Sequence, residues 1–174
     1  MNHTNIEIKA RIDNPDQIRE ILKSHKADFK GTDHQIDTYF KVSTGRLKLR
    51  EGNIENSLIY YQRSDQAGPK QSDVILYKTD LNSPLKQVLT QSLGELVVVD
   101  KKREIYFIDN VKFHIDQVDG LGSFMEIEAI DDKGDIDKDV LLEQCRYYIQ
   151  ILGIPEKDLV TNSYSDLILE GANA

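Results

Sequence analysis

The stretch TNIEIKARI divides its side chains without error: Ile6, Ile8, Ala10 and Ile12 on one side, Asn5, Glu7, Lys9 and Arg11 on the other. A period of two is the signature of a β-strand with one apolar and one polar face. The charged face sets one carboxylate between an amide and two cations. Similar segments recur at HQIDTYFKV, GRLKLRE, NSLIYYQRS, SDVILYKT, ELVVVDKKREIYFI, NVKFHIDQV and FMEIEAI. With the first strand they make about eight. Gly45, Gly52, Asn53, Asn110, Gly120 and Gly122 mark turns between them.

Helices are few. Asn14 and Pro15 open a helix whose stripe is Ile18, Ile21 and Leu22, suited to packing on the apolar side of the sheet. A second opens at Ser83 and Pro84, a third runs from about Ile136 to Leu152, and the tail PEKDLVTNSYSDLILEG supplies one or two short helical turns. Strands mostly adjacent in sequence argue for an antiparallel α+β fold, and eight of them suffice to close a barrel.

At 174 residues, 39% apolar and 30% charged, the chain is expected to form one domain over residues 1–174. No apolar run approaches the roughly 20 residues that span a bilayer, and no secretory signal pattern is present, so a cytoplasmic, membrane-free protein is expected. The single cysteine, Cys145, reads as a core thiol. A net charge of −8 argues against nucleic acid as a partner. A homodimer stays open.

Despite that acidic balance, cations gather on strand faces: Lys9 and Arg11, then Arg46, Lys48 and Arg50, then Arg63, Lys78, Lys101 and Arg103. The last two strands reverse the sign, with Asp116, Glu126 and Glu128. Two geometries are open. The charged faces point to water, or they line a polar lumen while the apolar faces turn outward beneath the helices. A polar lumen with rows of Lys and Arg suits a polyphosphate, and oxygen-only carboxylates suit Mg²⁺ or Mn²⁺. On the same parity, Asp37 and Tyr39 fit either geometry, and His114 is either a substrate-positioning or a hydrogen-bonded lumen histidine.

The combination of IEIKAR, GRLKLRE, LIYYQR, the KxR at Lys101 to Arg103, HIDQVDGLGSFMEIE and SYSDL resembles the CYTH superfamily, the triphosphate tunnel metalloenzymes, and within it the class IV adenylyl cyclases. The resemblance runs from about Asn5 to Leu169. It implies an eight-stranded antiparallel barrel with a charged lumen. It also implies metal-dependent action on a triphosphate: cyclisation of ATP to cyclic AMP and pyrophosphate, or hydrolysis of tripolyphosphate, thiamine triphosphate or a nucleoside triphosphate. A non-catalytic polyphosphate-binding module is the further alternative. The implied metal ligands are Glu7, Asp116, Glu126 and Glu128. The implied triphosphate-binding set is Lys9, Arg11, Lys48, Arg50, Arg63, Lys78, Lys101 and Arg103, with Lys101 and Arg103 neutralising the leaving group. One departure stands out: Asn5 occupies the first Glu position of the ExExK signature. If Lys9, Arg50, Lys101 and Arg103 converge, they are expected to repel one another in the empty tunnel, so that Arg103→Ala leaves the empty protein no less stable.

Overall fold

A computed structural model describes residues 2–63, 66 and 68–172. Eight strands, β1 (Asn2–Arg11), β2 (Asp28–Phe40), β3 (Arg46–Glu51), β4 (Ser57–Arg63), β5 (Lys70–Lys78), β6 (Glu95–Ile108), β7 (Val111–Val118) and β8 (Gly122–Asp131), close into a barrel. The order around it is β1-β5-β4-β3-β2-β6-β7-β8, and every neighbouring pair is antiparallel. Among the described residues four α-helices flank it: α1 (Pro15–Ser24), α2 (Leu85–Leu93), α3 (Lys138–Ile151) and α4 (Tyr164–Ala172). None is long and apolar enough to cross a membrane.

The second of the two geometries is the one found. Ile6, Ile8 and Ala10 of β1 join Val111, Phe113 and Ile115 of β7 and Met125, Ile127 and Ala129 of β8 in an outward apolar layer. Ile18 and Leu22 of α1, with Leu141 and Cys145 of α3, cover it. Each Val, Leu, Ile, Phe or Met side chain in this layer contributes roughly 1.5–3 kcal/mol by leaving water. Cys145 is the core thiol expected, its pKa pushed up to about 12 mainly by burial. The α1 start is as read: the Asn14 side chain accepts from the Gln17 N–H at 3.3 Å, and Pro15 occupies the first turn.

Four strands are longer than their alternation suggested, β1 beginning at Asn2 and β8 covering Gly122–Asp131. β2 begins at Asp28, six residues before His34, because a register shift between Phe29 and Gly31 breaks the period of two. β5 begins at Lys70 rather than Ser72. Ser64, at the end of the expected fourth strand, lies outside the described residues. The tail forms a 3₁₀ turn, Glu156–Asp158, and then α4, whose first residues lie over one end of the barrel.

Candidate active site

Turning the apolar faces outward leaves the opposite parity of every strand inside. The interior holds a cavity of about 670 Å³ lined by Lys9, Lys48, Arg50, Arg63, Lys78, Lys101, Arg103 and Lys112 together with Glu7, Asp37, Glu55, Glu126 and Glu128. At the α4 end the lumen is not polar: Tyr39, Tyr61, Val74, Val99, Phe124 and Tyr164 pack together there.

The cations are not left to repel one another. Asp37 accepts from Arg50 Nε and Nη2 at 2.9 and 2.8 Å and from Lys101 Nζ at 2.8 Å, with Lys48 Nζ 3.4 Å away. Burial alone would raise the Asp37 carboxyl, but Arg50, Lys101 and Lys48 hold it well below the usual carboxylate range. Arg103 grips Asp116 through Nε and Nη2 at 2.8 and 2.7 Å, and Nη2 also reaches Glu126 Oε1 at 2.6 Å. The Tyr164 hydroxyl donates to the same Asp116 carboxylate at 2.7 Å. The expectation that Arg103→Ala is neutral in the empty protein is therefore corrected: removing Arg103 strands a buried carboxylate, which costs roughly 3–5 kcal/mol.

Three carboxylates crowd one wall. Strand pairing sets Glu7 opposite Glu128 and Lys9 opposite Glu126. The Glu128 carboxyl is pushed up to about 7, first by burial and then by Glu7 and Glu126. Burial would also raise Glu126, but Lys9 and Arg103 hold it low. Beside this cluster Asn5 is 4% exposed and its Oδ1 has no partner among the described residues. The donor set is thus oxygen-rich, carries an unsatisfied amide oxygen, and holds carboxylates close enough to keep a proton. That fits a hard divalent cation, which would relieve the crowding. Arg63 gives Nη1 to Glu7 at 2.8 Å, while its buried Nε and Nη2 have no partner among the described residues.

Of the residues expected in the site, two stand elsewhere. Arg11 is exposed, donates to the Leu121 carbonyl at 3.3 Å and lies over the Phe124 ring. Asp116 sits behind Arg103 rather than on the cavity wall, with both oxygens engaged. Lys78 lines the cavity at an exposed mouth. Conversely, Asp37, Glu55 and Lys112, which line the cavity, were not singled out from sequence as site residues. Glu55 accepts from Lys112 Nζ at 2.5 Å and from Gln35 at 3.0 Å. The buried Lys70 donates to the Thr161 carbonyl at 2.6 Å. Lys112 shares its strand parity with His114, a signal that was legible; Glu55 lies in a loop and had none.

The CYTH domain family model matches residues 3–164. The chain belongs to the CYTH family. A Methanocaldococcus jannaschii protein named "Putative adenylate cyclase MJ0240" is 28% identical over 172 residues, covering 93% of this chain and 97% of that protein. The solved PH1012 protein of Pyrococcus horikoshii superposes with a TM-score of 0.76 at 25% identity, covering 94% of this CYTH chain and 98% of the other. A Hippeastrum protein, "Putative adenylyl cyclase HpAC1", described as revealing a dominant triphosphatase activity, superposes with a TM-score of 0.61 at 15% identity, covering 96% of each chain.

Proposed function

We propose that this CYTH barrel is a divalent-metal-dependent enzyme acting on a triphosphate, and that its reaction is cyclisation of ATP to cyclic AMP and pyrophosphate. The observation that carries the triphosphate reading is Arg63. A buried guanidinium with two donor groups unpartnered among the described residues, beside a three-carboxylate cluster, suits one pair of phosphate oxygens and one cation together. A plain phosphate-binding module would have no use for Glu7, Glu126 and Glu128 among its cations.

Glu7, Glu126 and Glu128, with Asn5 Oδ1, would hold Mg²⁺ or Mn²⁺, which when bound supplies charge neutralisation at the phosphate oxygens and polarises the attacking group. The protein's own part is positioning. Arg63, Lys9 and Lys48 bind the polyphosphate. Lys101 and Arg103, fixed by Asp37 and Asp116, present positive charge to the leaving pyrophosphate. Because carboxylates already orient these cations, little rearrangement is needed as charge develops during in-line attack by the ribose 3′ oxygen.

A nucleoside is supported by the mouth away from α4, where the apolar side chains of Ile54, Phe107 and Ile130 join the lining near Lys78. A second reading, hydrolysis of tripolyphosphate or another triphosphate by water, uses the same cradle and is supported by the Hippeastrum relative's description. The deciding experiment incubates purified protein with ATP, tripolyphosphate and thiamine triphosphate in parallel, with Mg²⁺ and with Mn²⁺, and separates the products. Cyclic AMP with pyrophosphate supports the cyclase. Orthophosphate alone from all three assigns hydrolysis, and no turnover of any refutes both.

A further inference from the structure

His114 of β7 is 1% exposed, and neither ring nitrogen has a hydrogen-bond partner among the described residues. An imidazole left this way is costly, because each buried unsatisfied polar atom forfeits its hydration with nothing in return. Strand pairing sets His114 opposite Glu126. Its Nδ1 lies 3.9 Å from Glu126 Oε1 and 3.9 Å from Glu128 Oε1, and one donor atom from each of the three residues falls within 4.8 Å of the others. A separation of 3.9 Å is too long for a hydrogen bond. It does suit two ligands of one ion, since donors about 2.1 Å from a common metal are at most about 4.2 Å apart.

We propose that His114 is a nitrogen ligand of the tunnel metal, making with Glu126 and Glu128 a mixed nitrogen–oxygen site at the floor of the cavity that favours Mn²⁺ over Mg²⁺. The proposal rests on the reading of Glu126 and Glu128 as metal ligands and adds the imidazole to it. Arg103 Nη2 donates to Glu126 Oε1 and takes one of its lone pairs, leaving the other lone pair of that oxygen for coordination. Glu126 and Glu128 line the cavity and His114 does not, so an ion held by all three would lie on the wall side of the substrate space. Nitrogen is the element that separates the candidate cations. Imidazole suits first-row transition metals, whereas Mg²⁺ is held by oxygen and keeps its waters.

The test needs no turnover. Metal-free protein, full length and labelled with ¹⁵N-histidine, is titrated with Mn²⁺ alone. Electron paramagnetic resonance gives the bound fraction, and electron spin-echo envelope modulation reports any nitrogen bonded to the ion. One tightly bound Mn²⁺ with imidazole-nitrogen modulation is expected. The modulation must vanish in His114→Gln and persist in His3→Gln, which controls for the histidine that lines the cavity itself. His114→Gln should weaken Mn²⁺ binding by about tenfold or more, and Mg²⁺ binding much less, as loss of a metal-supporting histidine interaction does elsewhere. Bound Mn²⁺ that is lost in Glu126→Gln yet shows no nitrogen coupling overturns the His114 ligand while leaving the carboxylate site standing. No bound Mn²⁺ at all overturns both. Should His114→Gln fail to fold, the modulation in the unaltered protein and in His3→Gln decides the question.

Discussion

Arg103, Asp116 and Tyr164 show how an isolated residue's meaning changes once its partners are known. Asp116 shares strand parity with Glu126-facing positions and reads as a metal ligand, yet its oxygens are spent on Arg103 and Tyr164. Arg103→Ala should lower the melting temperature of the ligand-free protein by several degrees, corresponding to roughly 3–5 kcal/mol, and also weaken tripolyphosphate binding. Differential scanning calorimetry with and without tripolyphosphate reads both; an unshifted empty protein would show that the buried pair is not formed. Glu7→Gln and Glu126→Gln, in contrast, should keep the fold. Circular dichroism should be unchanged while metal-dependent turnover falls by about a hundredfold or more, the scale at which removing one preorganised electrostatic group acts. Turnover of either variant at the unaltered rate under limiting Mg²⁺ would remove it from the ligand set.

At the scale of elements, β1, β7 and β8 were legible because each is covered by helices on one face and lines the lumen on the other, so burial enforces the alternation. The first half of β2 was not, since the irregularity at Gly31 breaks the period. Lys70 was missed with the start of β5, and Glu55 was invisible because a loop has no period. That loop is nonetheless built closely. Asp33 accepts from the backbone N–H groups of Ile54 and Glu55, both at 2.9 Å. A Cβ on Gly52 would lie 2.6 Å from Asp33 Oδ1 and 2.8 Å from the Glu55 carbonyl oxygen. Gly52→Ala should therefore cost about 1–3 kcal/mol by overpacking and loosen Glu55 from Lys112. Asn14→Ala, which removes the α1 cap at the surface, should cost about 1 kcal/mol and leave turnover unchanged. Equilibrium denaturation of the two variants beside their turnover separates the effects: a Gly52→Ala protein as stable and as active as the parent would mean that the loop has room to shift.

Across the whole molecule the lumen behaves as one titrating assembly. Lys101 is pushed down to about 7 and Lys9 to about 8, each first by burial and then by neighbouring cations, against partial relief from Asp37 and Glu126. In the unfolded chain both return to the ordinary 10.5. Between about pH 7 and 10.5 the unfolded chain therefore holds protons that the empty folded protein lacks, and these lysines make stability rise with pH across that window. Bound polyphosphate is expected to restore the charged forms. Tripolyphosphate binding without metal should take up protons at pH 8 and weaken as pH rises further. Calorimetry in two buffers of different ionisation enthalpy measures the uptake, and identical uncorrected heats in the two buffers would show that both lysines are charged beforehand.

The seating of α4 has a consequence for traffic. Lys9 and Lys70 donate to the carbonyls of Asn162 and Thr161, and Tyr164 packs against Phe124, so the chain leading into α4 is fastened across one end of the tunnel. A vessel open on one side empties in the reverse of the order in which it fills. If the reaction is the cyclisation proposed, with the polyphosphate innermost and the nucleoside at the mouth, cyclic AMP is expected to depart first and pyrophosphate last. The last product to leave meets the same free enzyme that ATP does. Pyrophosphate should accordingly inhibit competitively with ATP and cyclic AMP noncompetitively, a pattern that steady-state product inhibition would reverse if the far end opened instead.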